Sequence, residues 1–274
     1  VTRMLLAIED LHLSVPTPVG SREILRGVSL DVADGETVGL VGESGSGKST
    51  TARAALRLTP DRASLSGTVT VCGHGMVADD RAAVRKVRSE LAAMIFQEPR
   101  ATLNPVRRIG DSATERLVQV HGMAKATARE RIASLFAEVG LDDTDRVLRA
   151  YPHQLSGGML QRVVIAAALS IEPRLLLADE ATSALDVTTQ AEVLALLRRL
   201  QRERHMGVLF ITHDLQLAAA YCDRVYVMKD GSVVDHQPAG TIFVNPANPY
   251  TKALADAVPR LPERESAAPA EAPA

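Results

Sequence analysis

The nine residues GESGSGKST, Gly42–Thr50, constrain this chain more than any other stretch. They satisfy the pattern G-x-x-x-x-G-K-[S/T] in full. The apolar run TVGLV precedes them and the helical pattern TARAALRL follows. Strand, glycine-rich loop and helix, in that order, are the context this pattern needs. Gly42, Gly45 and Gly47 allow the backbone to curl until its N–H groups surround phosphate oxygens. Ser44 and Thr50 belong to the same phosphate-binding stretch. Lys48 reaches the β- and γ-phosphates as a point charge. Ser49 offers a hydroxyl to Mg²⁺.

A second stretch, YPHQLSGGMLQR (Tyr151–Arg162), also opens a helix, with Ser156, Gly157 and Gly158 at its start. Free N–H groups and the positive dipole end make such a start an anion site. One chain thus carries two phosphate-binding starts far apart in sequence.

Short β-rich runs recur: AIEDLHLSV, GVSLDV, ETVGLV, GTVTV, AAMIF, RLLLAD, GVLFITH, DRVYVM and GSVVDHQ. Helical patterns alternate with the later ones, which predicts an α/β layout with a largely parallel sheet. The early strands, before Gly42, have no helices between them and predict an antiparallel flank. From Arg100 to Ser170 there are no strand runs. RIGDSATERLVQVHG and KATARERIASLFAEVGL place apolar residues at three- and four-residue steps, with Gly140 suited to the end of the second helix. This reads as a helical subdomain inserted into the core. TTQAEVLALLRRLQRERH is a further helix, its basic end a solvated face that complements the C-terminal dipole. PERESAAPAEAPA lacks apolar periodicity and reads as disordered.

The two carboxylates of RLLLADEATSALD follow a buried strand. Neighbouring residues at a strand end point different ways. Asp179 can therefore face Mg²⁺ while Glu180 faces the γ-phosphate and accepts a proton from the attacking water. Alone, a strand ending in Asp-Glu serves equally as a helix cap; behind a complete phosphate loop it reads as a site. Gln97 ends the strand of IFQEP, where its amide can ligate Mg²⁺ or orient water. His213 ends the strand of LFITHD. Alone it is a satisfied structural His; beside a γ-phosphate it can hydrogen-bond the phosphate and hold water.

The bulk numbers exclude several classes. The 274 residues are 46% hydrophobic and carry a formal net charge of −2, with aromatics at 3% and no Trp. A nucleic-acid binder carries a basic excess and stacking aromatics, so none is expected as partner. Cys72 and Cys222 fit no metal spacing and read as two reduced thiols in a cytoplasmic protein. VTRMLLAIEDLHLSV meets acidic residues too early for a secretory signal. VVIAAALSI is far shorter than the roughly 20 residues of a membrane helix. The chain is expected to be soluble, with any membrane role supplied through a partner.

In chain order, the phosphate loop, Gln97, LSGGM, LLLADE, SALD and His213 closely resemble the ATPase subunit of an ABC transporter. The resemblance runs from Leu6 to about Leu261. It implies a P-loop NTPase core over 1–99 and 171–240, with an antiparallel β flank, a helical subdomain over 100–170, a C-terminal segment 241–261 and a disordered tail 262–274. It implies an ATP-driven head-to-tail dimer. Each ATP would lie between the Lys48 loop of one protomer and Ser156–Gly158 of the other, with Ser183 and Asp186 lining the seam. Within the family, IFQEPRATLNPVRRIGD, YPHQLSGGMLQR and NPANPYTKALADAVPRL resemble the dipeptide, oligopeptide and nickel importers. That implies two permease chains, an external solute-binding protein, a second ATPase protomer (identical or paralogous) and a place on the cytoplasmic face of the membrane. A groove near Gln97, between core and helical insertion, would receive a permease helix.

Three departures from the family pattern matter. Val15, in LHLSVP, stands where many relatives carry an aromatic that stacks on adenine. No cysteine follows Cys222, so no iron–sulfur cluster is expected. Ala181 stands where relatives often have Pro. Two other classes stay open at this point: a soluble ABC ATPase acting on DNA or ribosomes, and a nucleotide-binding regulator that does not hydrolyse. The first usually shows coiled-coil insertions or tandem halves. Intact Lys48, Asp179, Glu180 and His213 argue against the second.

Overall fold

The computed structural model describes residues 3–257 except 19, 79, 184 and 243; the tail 262–274 lies outside the described residues. Two sheets form among them. β1 (Met4–Thr17), β2 (Gly20–Ala33), β4 (Ser64–Val71) and β5 (His74–Gly75) make an antiparallel sheet in the order β2-β1-β4-β5. β3 (Thr37–Val41), β6 (Ala92–Ile95), β7 (Leu175–Asp179), β8 (Gly207–Thr212), β9 (Arg224–Lys229) and β10 (Ser232–Pro238) make the other, in the order β10-β9-β3-β8-β7-β6. From β9 to β6 the pairing is parallel; β10 closes one edge antiparallel.

Each apolar run expected to be a strand is one. The division at Gly42 is not the boundary between the sheets. β3 precedes Gly42 yet sits inside the parallel sheet, because every one of its residues is buried and both its faces are covered. β4 follows Gly42 yet joins the antiparallel flank, pairing Ile8 with Val69. Its first half is largely exposed, and its second buries Val69 and Val71 on either side of half-buried Thr70, which suits a sheet with one wet face. The two-residue β5 has no period to read.

The strands of the parallel sheet split two cores by their alternation. Leu177, Leu209 and Ile211 face the antiparallel sheet and α1 (Lys48–Ala55). Leu176, Ala178, Val208 and Phe210 face the helices on the other side. A short α2 (Arg81–Lys86) leads through a π-helical turn, Val87–Leu91, into β6. The stretch after β6 holds α3 (Pro99–Thr102), α4 (Ile109–Gln119), α5 (Lys125–Glu138), α6 (Thr144–Arg149) and α7 (Gly157–Leu169). Gly140 follows α5 at φ +79, as its position suggested. α8 (Val187–Arg204) and α9 (Leu215–Tyr221) come next, then α10 (Ala239–Ile242) and α11 (Pro249–Asp256) after the last strand.

The basic end of α8 does more than meet solvent. Arg204 Nη2 donates to both carboxylate oxygens of Glu138, at 2.7 Å each, and Arg199 donates to the Glu138 carbonyl. The helix dipole and a partner on α5 are both served. Among the described residues, no helix is long and apolar enough to cross a membrane.

Candidate active site

Parallel strands that stop in register place whatever follows them along one edge of the sheet. Here Val41 pairs with Thr212, Ile211 with Asp179, and Ala178 with Ile95. The glycine loop follows β3, His213 follows β8, Glu180 follows β7 and Gln97 follows β6. Strand order therefore draws together residues up to 169 positions apart (44 to 213). They line one cavity of about 430 Å³ with Ser44, Gly45, Gly47, Lys48, Ser49 and Thr50.

The loop's tightness has a visible cause. A Cβ on Gly42 would stand 2.1 Å from the Met228 carbonyl oxygen of β9, so only a hydrogen fits there. Lys48 Nζ donates to the carbonyls of Gly42 and Glu43, at 2.8 Å each. Burial pushes the Lys48 ammonium below its ordinary range, against the pull of Glu180, Asp179 and Glu43. A partly desolvated cation fixed by two loop carbonyls at the wall of this cavity is suited to bind a phosphate.

Asp179 is fully buried. Ser49 Oγ donates to its Oδ1 at 2.6 Å. Oδ2 has no hydrogen-bond donor; Arg53 Nη2 stands 3.9 Å away. Burial pushes this carboxyl up, more than Ser49, Arg53 and Lys48 pull it down. A buried carboxylate oxygen without a donor invites a cation. Ser49 hydroxyl, Asp179 carboxylate and the Gln97 amide oxygen are hard oxygen donors of the kind Mg²⁺ takes.

Glu180 departs from the strand at φ +45, with its N–H donating to Ile211 O at 3.0 Å. That left-handed turn sends its side chain away from Asp179. Its Oε2 accepts from Gln97 Nε2 at 2.7 Å, and His213 Nδ1 lies 3.5 Å from Oε1. A carboxylate steadied by an amide and an imidazole at the mouth of a phosphate cavity can take a proton from water.

Ser156, Gly157, Gly158 and Asp186 do not line this cavity. Ser156 caps α7, accepting the Met159 N–H at 3.2 Å. A Cβ on Gly158 would meet Thr189 Cγ2 at 2.7 Å, so α7 packs closely on the start of α8. Asp186 caps α8 through both the N–H and the hydroxyl of Thr189. Cys72 and Cys222 are separate buried thiols.

Two residues of the site were missed by sequence reasoning, Arg53 beside Asp179 and Ile24 in the cavity wall. Arg53 follows Ser49 by four residues on α1, so helical spacing alone could have placed it near Ser49's partner. Ile24, on β2, lines the phosphate cavity and a neighbouring one of about 670 Å³ that Thr17, Arg22 and Gly45 also border. No local signal marks it. Val15 pairs with Arg22 on β1 and is half-buried, packed against the core beneath the antiparallel sheet.

A phosphate loop on the central strand, a carboxylate pair on the next strand but one and an inserted helical block define a P-loop nucleoside-triphosphatase of the ATP-binding cassette class. Comparison with known proteins agrees: the ABC transporter family profile matches residues 25–183. The oligopeptide transport ATP-binding protein OppD of Salmonella typhimurium is 40% identical over 258 residues, covering 94% of this chain and 77% of that protein. The dipeptide transport ATP-binding protein DppD of Bacillus subtilis is 42% identical, covering 93% and 77%. Among solved structures, the dimeric ATP-binding cassette MJ0796 bound to ADP and Pi superposes with a TM-score of 0.76 at 28% identity, covering 85% of this chain and 98% of that one. The chain belongs to the ABC transporter ATPase family, and it hydrolyses ATP.

Proposed function

We propose that this chain powers a multi-subunit importer for peptides, nickel or a related small solute, with ATP held between two head-to-tail protomers. One observation carries the dimer: the Ser156–Gly158 helix start does not line the cavity that holds Lys48. A second protomer, identical or paralogous, would supply it. The dimeric state of MJ0796 supports this reading, and the printed names of OppD and DppD support the solute class. The same reading divides the chain into core, helical subdomain and C-terminal segment at the boundaries given above.

Lys48 and the loop N–H groups would hold the β- and γ-phosphates. Ser49, Asp179 and Gln97 would hold Mg²⁺, which when bound neutralises phosphate charge. Glu180 takes the proton of the attacking water as its oxygen bonds to the γ-phosphorus, and ADP leaves. His213 hydrogen-bonds the γ-phosphate. Asp186 lines the protomer seam.

The permease would sit not beside Gln97, where the sequence predicts it, but on a cleft of about 480 Å³ between core and helical insertion that Gln97 does not line. Arg57, Arg81, Arg85, Arg88 and Arg116 line it with Val84 on α2 and Val120 just after α4. Arg81 and Arg85, exposed on α2, fit a partner segment that carries acidic residues, while Arg57, Arg88 and Arg116 donate to backbone carbonyls. Docking there would place the ATPase on the cytoplasmic face of the membrane, with the solute-binding protein on the far side and no nucleic acid involved.

The test is purification of the tagged chain from detergent-solubilised membranes of its native cells. Two permease chains should co-purify, and Arg81→Glu with Arg85→Glu should release them. Recovery of the chain with ribosomes or DNA, and without permeases, overturns the transport reading.

A further inference from the structure

The stretch NPANPYTKALADAVPRL follows the last strand, outside every phosphate-binding motif. The structure shows what its first part does. Asn248 caps α11, accepting the Tyr250 N–H at 2.8 Å. Asn248 is itself fixed to β10. Its N–H donates to Asp235 Oδ2 at 3.1 Å and its Nδ2 to the Val234 carbonyl at 3.0 Å. Asp235 is only 8% exposed, and Gln237 Nε2 reaches both its oxygens. A buried carboxylate satisfied in this way holds its partners in one geometry. The first turn of α11 is thereby seated on the sheet.

That seat carries Tyr250 to the phosphate loop. The Glu43 N–H donates to Tyr250 Oη at 3.4 Å. Lys229 Nζ, at the end of β9, lies 4.7 Å from the centroid of the Tyr250 ring, within cation–π range. Glu43 is the second residue of the loop, and its carbonyl accepts Lys48 Nζ at 2.8 Å. The same loop is held at Ser46, whose carbonyl accepts the N–H of Gly231 in the β9–β10 turn. Glu43 is therefore gripped on its amide side by α11 and on its carbonyl side by the lysine that meets phosphate.

We propose that Tyr250 is a positioning residue for the phosphate loop: through Glu43 it sets the carbonyl that orients Lys48, so that α11 tunes nucleotide affinity. The proposal rests on the reading of Lys48 as the phosphate ligand. It gives the C-terminal segment a role in the nucleotide site that none of the phosphate-binding motifs contains.

The test uses the whole chain in a Glu180→Gln background, so that turnover does not enter. Binding of a fluorescent ATP analogue is titrated alongside thermal unfolding. Tyr250→Phe keeps the ring over Lys229 and removes only the hydroxyl. Loss of one hydrogen bond should raise Kd about three- to tenfold and leave the Tm of the nucleotide-free protein within about 1 °C. Asn248→Ala should raise Kd in the same way, and the double variant should fall short of the product of the two, because both act on one chain of contacts. An unchanged Kd in Tyr250→Phe overturns the proposal. So does a Kd rise that vanishes when variants are compared at equal distance below their Tm, which is the mark of a merely structural role. Lys48→Ala separates the two readings: if it abolishes binding while Tyr250→Phe does nothing, only the Tyr250 role fails. If Lys48→Ala binds normally, both fail.

Discussion

The side-chain amide of Gln97 donates to the carboxylate of Glu180, Nε2 to Oε2, at 2.7 Å. The residue at the head of the helical insertion thus holds the group assigned as general base. Glu180→Gln keeps the size and the hydrogen bonding of the side chain but cannot accept the proton. ATP binding should persist, and phosphate release should slow about 10²- to 10⁴-fold. Gln97→Ala leaves the base in place but without its amide partner. Loss of one hydrogen bond to a charged group should slow phosphate release about ten- to hundredfold. Wild-type turnover in Glu180→Gln, measured as steady-state phosphate release, removes Glu180 from the mechanism.

Among the described residues, no Phe, Tyr or Trp lines either cavity beside the phosphate loop. Ile24 borders both cavities beside the loop, and Val15 lies on the neighbouring strand. Val15→Tyr should strengthen ATP binding, since an aromatic stack is worth about 1–3 kcal/mol in nucleic-acid sites. Ile24→Ala should weaken it by roughly fivefold or more through lost apolar contact. Equilibrium titration of both variants checks this; if Val15→Tyr binds ATP as the parent does, Val15 is not the stacking position.

The two-protomer site can be tested by complementation. Lys48→Ala disables the phosphate loop, and Ser156→Arg blocks the start of α7 by bulk. Each homodimer has two dead sites. A mixed dimer has one intact site, built from the loop of the Ser156→Arg chain and the α7 start of the Lys48→Ala chain. In a Glu180→Gln background, mixing should restore trapped ATP to about one per mixed dimer, the count set by the geometry of a C₂ pair. The control is sizing that shows ATP-dependent homodimers of Glu180→Gln alone. If those form and mixing recovers no ATP at any ratio, the shared site is wrong.

An ion-pair network ties β2 to β9, and its strength should appear in acid. Arg224 Nη2 donates to Asp31 Oδ2 at 2.7 Å and Nε to Glu36 Oε1 at 2.6 Å; Tyr226 Oη donates to Asp31 Oδ1 at 2.9 Å. Burial by itself would raise Asp31, but the Arg224 and Tyr226 hydrogen bonds outweigh it and hold the carboxyl below its usual range. A depressed folded-state pKa stabilises above the unfolded value of 3.8 and stops doing so as pH falls through the folded value. Asp31→Asn should therefore cost about 1 kcal/mol at pH 7, discounted for partial exposure, or a Tm drop of about 2–4 °C. The gap between variant and parent should close below the unfolded value. A gap that stays constant down to pH 3 in calorimetry assigns the loss to packing instead of charge.

The sequence by itself determined the parts whose chemistry is contiguous. The phosphate loop is legible because its glycines, lysine and serine act within one turn of backbone, between a buried strand and a helix. The carboxylate pair is legible because a strand end throws neighbours apart, and Asp179 and Glu180 do diverge, one to Ser49 and the other to Gln97. The helix start at Ser156–Gly158 is legible because three residues contain it, and the structure adds that Ser156 caps it.

Tertiary structure alone decided which of these parts meet. Sheet order β3-β8-β7-β6 set Lys48, His213, Glu180 and Gln97 side by side, and strand pairing between residues far apart in the chain leaves no local periodicity to read. It also decided that Thr189 satisfies Asp186, that Ile24 walls the cavity and that Tyr250 reaches Glu43 across 207 positions. Those contacts depend on how separate faces pack, and a side chain carries no record in its own neighbourhood of the surface it will meet.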